Sequence, residues 1–313
     1  MKKNLPIYGA VTFIIILFIT MIMYKKTFIS QSDVSTKVLF GKFDSTRGCQ
    51  QLPMFLKEAN LPQPFMIDLS QKQAKGINFL YGKRFKQNLH YKDWERYDHF
   101  STYTLDKQGN TYLTPMPFIS IEPSTFNLQK NIYILDTYTA KLSIWMQLDE
   151  VLPTGSNPYG VMAVAYDCDD ETLWVSTIDQ TDYQTQKGRL YHIDIKTKRI
   201  LQRIEGFDAL TLSILHTTHK KYLLAGSAKE QGLYAFTYEN QMLLPIPKKL
   251  FDLPNPNAHI RKIKVIGSNT LSLETIPFAY TLVTQTSQHY RTLYQAKLSD
   301  INKRWQIKKI LTH

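Results

Sequence analysis

The sequence predicts an all-β protein, a β-propeller of five blades (six being the alternative), preceded by a single N-terminal transmembrane helix. The first observation behind the propeller is the segment 159–205. It contains four short apolar or alternating runs, at Val161–Tyr166, Thr172–Thr177, Arg189–Asp194 and Arg199–Ile204. Polar turns separate the runs, and a four-stranded antiparallel meander of this length is typical of one propeller blade.

The second observation is a strand that recurs along the chain. An apolar residue followed by tyrosine stands at the same place in four segments, namely Ile132-Tyr133, Leu190-Tyr191, Leu233-Tyr234 and Leu293-Tyr294. The tyrosines are 58, 43 and 60 residues apart, a period that suits propeller blades with loops of unequal length. We expect each ring to pack between neighbouring blades, with its hydroxyl at the edge.

The N-terminal segment Ile7–Tyr24 is an uncharged apolar run with lysines on both sides. As a helix, its roughly eighteen residues would span about 27 Å, enough for a bilayer core. A cleaved signal peptide is the alternative, but no small-x-small site follows and no cysteine is placed to accept lipid. The sequence therefore predicts an uncleaved signal anchor. Its short N-terminal tail favours a large domain outside the cytoplasm, in the periplasm or at the cell surface of a bacterium.

The predicted domains are an anchor at 1–26, a tether at 27–36 and a propeller domain at 37–313. The unit 37–98 is irregular. Its candidate elements are a strand Lys37–Phe43, a short helix within Leu52–Ala59, and strands Phe65–Leu69 and Gly76–Tyr81. Closing the ring requires either that the first of these strands pairs with the last blade or that the whole unit packs against it as a blade.

The region 99–313 is regular and predicts four blades. Besides the meander at 159–205, three sets of four runs follow the same pattern. They are Phe100–Leu105, Thr111–Thr114, Asn131–Asp136 and Leu142–Leu148; Leu210–Leu215, Tyr222–Ala225, Gly232–Thr237 and Met242–Ile246; and Ile260–Ile266, Thr270–Glu274, Arg291–Leu298 and Trp305–Leu311.

The net charge of +12 allows two interpretations. One is a solvated surface with lysines spread through turns, and the other is attraction to anionic lipid or another polyanion. Nucleic acid is not an expected partner, because the chain has no zinc-finger spacing, recognition helix or RNP-like strand.

The two cysteines, Cys49 and Cys168, exclude a disulfide framework and a thiolate metal cluster. Two independent thiols are the favoured interpretation. One bridge between them is the alternative if the domain lies outside the cytoplasm.

Propeller geometry sorts the loops onto two faces. The long second-to-third loops, Pro115–Lys130, Ile178–Lys187 and Pro277–Tyr290, should lie on one face with the links between blades. Long loops on a rigid scaffold are where binding usually occurs. We call this the long-loop face.

Polar residues that precede the innermost strands, or lie in or beside the long loops, are the candidate ligand-binding residues. The principal candidates are His99, Asn157, Tyr159, Asp179, Asp182, Asp208, His259 and Glu274, with Asp98, Tyr183 and Asn257 beside them. Their carboxylates, amide and imidazoles could bind a small polar ligand or a divalent cation such as Ca²⁺. Each could instead simply form a turn.

Other polar groups predict structure rather than chemistry. We interpret Asp167–Glu171 as a solvated turn on the opposite face, and His192 and His216 as packing residues. The chain contains no G-x-S-x-G, no H-E-x-x-H and no phosphate-binding glycine loop, so no catalytic residue is predicted.

Three motifs carry a family resemblance: Pro158-Tyr159-Gly160-Val161, then Thr172-Leu173-Trp174-Val175, then Leu190-Tyr191-His192-Ile193-Asp194. Here the chain resembles the senescence marker protein and gluconolactonase propellers and the related NHL-repeat proteins. The resemblance covers one blade well and the next loosely, and it implies the fold. In the lactonases the asparagine of the first motif binds the metal. Tyr159 stands at that position here, with Asn157 two residues earlier.

The sequence therefore favours a membrane-anchored, extracytoplasmic propeller that binds a ligand or protein partner through its long-loop face without catalysis. One alternative is a metal-dependent lactonase or hydrolase, with Asp208 and His259 as contributors. The other is an envelope-assembly scaffold with a basic surface.

Overall fold

The computed structural model describes residues 41–44, 48–69, 75–116, 123–182, 184–281, 291–299 and 303–312. The predicted anchor and tether lie outside these residues. Within them, no helix combines the length and the apolar character that a membrane span requires.

Twenty β-strands supply nearly all the regular structure of the described residues. Strands β1 to β11 are Phe65–Asp68, Asn78–Tyr81, Gln87–Leu89, Phe100–Leu105, Thr111–Pro115, Asn131–Leu135, Leu142–Gln147, Val161–Asp167, Thr172–Thr177, Arg189–Asp194 and Ile200–Glu205. Strands β12 to β20 are Ala209–His216, Lys221–Ser227, Gly232–Glu239, Met242–Leu243, Lys248–Asp252, His259–Gly267, Thr270–Ile276, Thr292–Leu298 and Trp305–Thr312.

Helical structure is limited to short pieces in the described part. The helix α1, Met54–Glu58, begins after Pro53, and Pro62 and Pro64 prevent its extension. Three 3₁₀ segments accompany it, at Lys83–Phe85, Lys92–Tyr97 and Pro123–Lys130.

The strands form five antiparallel sheets, the blades of a five-blade β-propeller. Blade 1 is β1–β3, blade 2 is β4–β7, blade 3 is β8–β11, blade 4 is β12–β16 and blade 5 is β17–β20. Within blade 3 every residue of β8 and β9 is buried, whereas in β11 only Ile204 is buried. This gradient places β8 near the ring centre and β11 at the rim.

The four recurring tyrosines occupy equivalent positions, as the sequence predicts. Each stands opposite an apolar residue of the second strand, in the pairs Tyr133–Leu113, Tyr191–Val175, Tyr234–Ala225 and Tyr294–Leu273. Three are buried, and the partly buried Tyr234 packs edge-on against Phe207 at 5.1 Å between ring centroids. The tyrosines therefore fill the space between blades.

The described part of the predicted strand Lys37–Phe43 begins at Gly41. Within it, Phe43 makes a β-bridge to Thr217 of blade 4. The Phe43 amide also donates to Ser268 O of blade 5 at 2.6 Å. Phe43 therefore joins the turns of two blades. Among the described residues, blade 1 has three strands.

The outer edge of blade 4 also departs from prediction. The expected strand Met242–Ile246 ends at Leu243. A separate strand, Lys248–Asp252, pairs with the first half of β14. Pro245 and Pro247 account for the interruption, since neither can donate a ladder hydrogen bond.

Cys49 and Cys168 form a disulfide, so the expectation of two independent thiols is wrong. Their Cα atoms are 5.9 Å apart although 119 residues separate them in sequence. Spacing alone could not reveal this pair, because the propeller ring brings the N-terminal segment against the β8–β9 turn. The bridge ties that segment to blade 3.

Candidate functional site

A repeated backbone hydrogen bond shows that the predicted site positions are equivalent. The residue after the second strand donates to a carbonyl just before or at the start of the innermost strand: Met116 N to His99 O at 2.8 Å, Ile178 N to Gly160 O at 3.1 Å and Ala228 N to Asp208 O at 2.9 Å. These bonds place the starts of three innermost strands on the long-loop face.

Three predicted residues come together there with two aromatic residues that sequence reasoning missed. This axial cluster consists of Tyr159, Asp208, His259, Phe278 and Tyr280. The Phe278 ring centroid lies 5.1 Å from that of Tyr159, 5.9 Å from His259 and 5.3 Å from Tyr280. Tyr280 donates its hydroxyl to Asp208 Oδ2. The loop that follows β18 of blade 5 thereby reaches the link between blades 3 and 4.

Asp208 is the best-connected polar group of the cluster and is fully buried. Its Oδ1 accepts hydrogen bonds from Thr181 Oγ1 at 2.9 Å and from Gly188 N at 2.6 Å. Burial raises the pKa of the carboxyl to about 6, although the three donors favour its charged form. Burial and the nearby carboxylate also raise the pKa of Tyr280, which stays a donor.

The two histidines of the predicted ring differ in their surroundings. His259 Nδ1 lies 3.4 Å from Ser227 O, and burial lowers the pKa of its imidazole. Burial likewise lowers the pKa of His99, whose ring lies 3.6 Å from Asp98, itself paired with Lys75 at 3.1 Å. His259 is therefore the neutral imidazole of the axial cluster, and His99 lies at the junction with blade 1.

Asn157 and Asp179 hold the loops in place. Asn157 Nδ2 donates to Ile178 O at 2.7 Å and to Thr181 O at 3.1 Å. Asp179 accepts from Leu152 N at 3.0 Å and pairs with Arg189 at 3.3 Å. Their side chains are buried and their polar atoms are engaged, so these two predicted ligand residues serve the scaffold.

Asp182, Asn257 and Glu274 also have local roles. Asp182 accepts from two backbone amides of its own turn, at 2.7 and 2.8 Å, and these bonds lower the pKa of its carboxyl. Asn257 is exposed and lies in a turn formed with Asn255. Glu274 pairs with Arg291 at 3.2 Å. Tyr183 lies outside the described residues.

The residues do not fit the divalent metal that the lactonase resemblance implies. In the described ranges, no three His, Cys, Asp or Glu side chains come close enough to hold an ion. Tyr159, at the position of the lactonase asparagine, is buried against Phe278. Asp208 uses both oxygens for protein donors.

On the opposite face, the turn Asp167–Glu171 is less solvated than predicted. Asp167 is fully buried, pairs with Lys221 at 2.8 Å and accepts from Tyr238 at 3.2 Å. The packing role of His192 is confirmed, because its ring stacks on Trp174 at 4.4 Å. His216 is also buried and lies 3.6 Å from Asp169.

Arg261 is the third site residue that sequence reasoning missed. It lies on β17, donates to Leu210 O of β12 at 2.7 Å and also contacts Ser101 Oγ of β4. Its side chain thus joins the innermost strands of blades 5, 4 and 2. A charged residue on an inner propeller strand is itself a signal, since such strands are largely buried.

Comparison with known proteins adds little to this description. No family model and no curated protein matches the chain. Similar solved structures include Bacteroides ovatus Xyloglucan PUL GH43B, with 11% identity and a TM-score of 0.40 over 68% of this chain and 40% of that one. Another is the dihydro-heme d1 dehydrogenase NirN in complex with DHE, with 12% identity and a TM-score of 0.40 over 84% of this chain and 58% of that one. Kluyveromyces lactis Hsv2 has 12% identity and a TM-score of 0.36 over 79% and 72%.

The chain spans only about two fifths to three fifths of the length of the first two proteins. Similarity at these scores carries no argument about function. The propeller assignment therefore comes from the strand pairing itself, and the resemblance to the gluconolactonase and NHL-repeat propellers remains a prediction.

Proposed function

We propose that this chain is a membrane-anchored, extracytoplasmic β-propeller that binds a ligand or protein partner through its long-loop face without catalysis. The observation that carries the proposal is the axial cluster. It gathers Tyr159, Phe278 and Tyr280 around the ring centre on the face that also holds the long loops. The Phe278 and Tyr280 rings are partly exposed, and such aromatic rings over a rigid scaffold are typical of a binding surface.

The bonding of the acid–base groups supports a non-catalytic role. Asp208 accepts three hydrogen bonds from the scaffold, and His259 is directed toward a backbone carbonyl. A general base needs a free acceptor within reach of a reacting proton. These side chains instead hold the loops of the face together.

Two features support the location. The apolar run Ile7–Tyr24 is long enough to anchor the chain in a bilayer. The Cys49–Cys168 disulfide suits an oxidising compartment outside the cytoplasm.

The binding face can be tested by placing a photoreactive phenylalanine analogue at Ala279 or, as a control, at Tyr138 of the full chain. Both residues are exposed, the first on the long-loop face and the second in the β6–β7 turn on the opposite face. We expect light-dependent adducts in producing cells from position 279 and not from 138. Adducts that form equally from both positions, or only from 138, would refute the proposed face.

The location has its own test. Ile15→Arg puts a charge at the centre of the apolar run, which costs about 2.5–3.5 kcal/mol in membrane insertion. We expect the wild-type chain in the membrane fraction with its cysteines oxidised, and the variant outside that fraction with reactive thiols. Thiol trapping in intact cells distinguishes the two states, and an unanchored wild-type chain with reduced thiols would contradict the proposal.

A further inference from the structure

Arg261 differs from the other partly buried arginine of the described residues. Arg189 pairs with Asp179 at 3.3 Å, and despite burial the pKa of its guanidinium is raised. Arg261 has no carboxylate of the described residues within ion-pairing distance, and burial lowers its pKa to about 10. It therefore remains charged at neutral pH, and none of the described carboxylates pairs with it.

The described charges around Arg261 leave one positive charge in excess. Glu274 and Arg291 lie near enough to affect its pKa, but they pair with each other at 3.2 Å and nearly cancel. The Tyr159 hydroxyl is also near, and burial raises its pKa to about 12, so it stays neutral. A guanidinium enclosed by protein without a partner is costly unless an anion reaches it.

The position of Arg261 makes it reachable from the axial cluster. It follows His259 by two residues on β17, a rise of about 6–7 Å along the strand. Protein atoms surround the guanidinium and lower its pKa, yet the residue keeps partial solvent exposure. Arg261 thus lies one layer beneath the aromatic rings at the mouth of the ring.

We propose that the long-loop face binds a small organic oxyanion at Arg261. A carboxylate or phosphate group of the ligand lies on the guanidinium, and the ring or apolar part of the ligand lies against Tyr159 and Phe278. The inference rests on the proposed function, because it names the ligand class for the same face. Guanidinium carries five N–H donors in a planar fork, and the contacts to Leu210 O and Ser101 Oγ leave donors for a third acceptor. The ring of Phe278 beside Tyr159 favours a ligand with a planar apolar part.

The proposal is tested by calorimetric titration of the full chain in an uncharged detergent at low chloride. The probes are benzoate, inorganic phosphate and neutral benzamide. We expect wild type to bind benzoate or phosphate and not benzamide, and Arg261→Gln to weaken that binding at least ten-fold. Arg261→Lys, which keeps the charge but loses the fork, should fall between them. Tighter binding of benzoate would assign a ring-bearing carboxylate, and tighter binding of phosphate a phosphate-bearing ligand.

The control is Arg203→Gln, which removes the same charge from an exposed arginine that pairs with Glu150 and Glu205. Its affinity should equal that of wild type. A second readout is the unfolding temperature of each variant with and without ligand. Benzoate or phosphate should raise the unfolding temperature of wild type and of Arg203→Gln, and should leave that of Arg261→Gln unchanged.

Two results would overturn the inference: neither anion binds wild type, or both anions bind Arg261→Gln as tightly as they bind wild type. The proposed function has a separate test. If adducts still form from position 279 while neither anion binds, the ligand class is wrong and the binding face stands. If adducts do not form there but benzoate binding depends on Arg261, the anion site at Arg261 is supported and the proposed partner on the long-loop face is not.

Discussion

Asp208→Asn should change how stability depends on pH, because this carboxyl is fully buried and its pKa is raised to about 6. The substitution keeps the geometry. The amide oxygen can still accept from Thr181 and Gly188, and the amide nitrogen can donate to the Tyr280 oxygen. Asparagine thus resembles the protonated acid, which the folded protein prefers.

The size and the sign follow from the two pKa values. The pKa of the carboxyl is near its ordinary value of 3.8 in the unfolded chain and about 6 in the folded one, a gap of about two units or about 3 kcal/mol. The folded state binds the proton more tightly. The contribution of Asp208 to the free energy of unfolding is therefore greatest below pH ~4, falls as pH rises to ~6, and is level above that.

Urea unfolding of the full chain at a series of pH values measures this contribution, as the difference between wild type and Asp208→Asn. We expect similar stabilities at the acidic end, with wild type falling behind by about 3 kcal/mol at neutral pH. Asp182→Asn is the control. Because backbone donors lower the pKa of that exposed carboxyl, wild type should gain stability relative to this variant as the pH rises. A flat difference for Asp208, or one in which wild type gains with pH, would refute the reasoning.

Two further substitutions test the scaffold of the site. Replacing Cys49 and Cys168 by serine should lower the free energy of unfolding by up to about 5 kcal/mol, the loop-closure value for a sequence separation of 119. Denaturant unfolding of the oxidised wild type and the double variant measures it, and equal midpoints would contradict the account. Gly188→Ala should destabilise by roughly 1–3 kcal/mol, because its new Cβ would overlap the Asp208 carboxylate. Gly48→Ala meets no neighbouring atom and should be neutral by the same measurement, so equal losses in the two variants would count against the packing described.

Much of the fold was predictable because its strands have a strong local pattern. Three predicted strands match the structure residue for residue, namely Phe100–Leu105, Thr172–Thr177 and Arg189–Asp194. Each is an alternating or fully apolar run ended by turn residues, so sequence neighbours suffice to define it. The tyrosine repeat predicted the register because each ring fills the same gap between blades.

Features that depend on distant partners were not predictable from the pattern. The disulfide requires the ring to place the N-terminal segment against blade 3, and the junction at Phe43 requires two turns from different blades. The prolines at 245 and 247 were a local signal that could have shortened the fourth strand of blade 4.

The candidate site was predictable in position but not in composition. Propeller geometry places Tyr159, Asp208 and His259 on one face, as the structure shows. It could not show that the loop after β18 places Phe278 against Tyr159 and His259, or that Asp179 forms an ion pair with Arg189. Whether a polar side chain is free to bind a ligand depends on its hydrogen-bond and ion-pair partners, which are not its neighbours in sequence.

The most direct test of the account is a crystal structure of the full chain with benzoate. We expect the carboxylate on the guanidinium of Arg261, with the ring of the ligand against Tyr159 and Phe278 on the long-loop face. Benzoate bound among the turns of the opposite face, or at the axis without contact to Arg261, would contradict it.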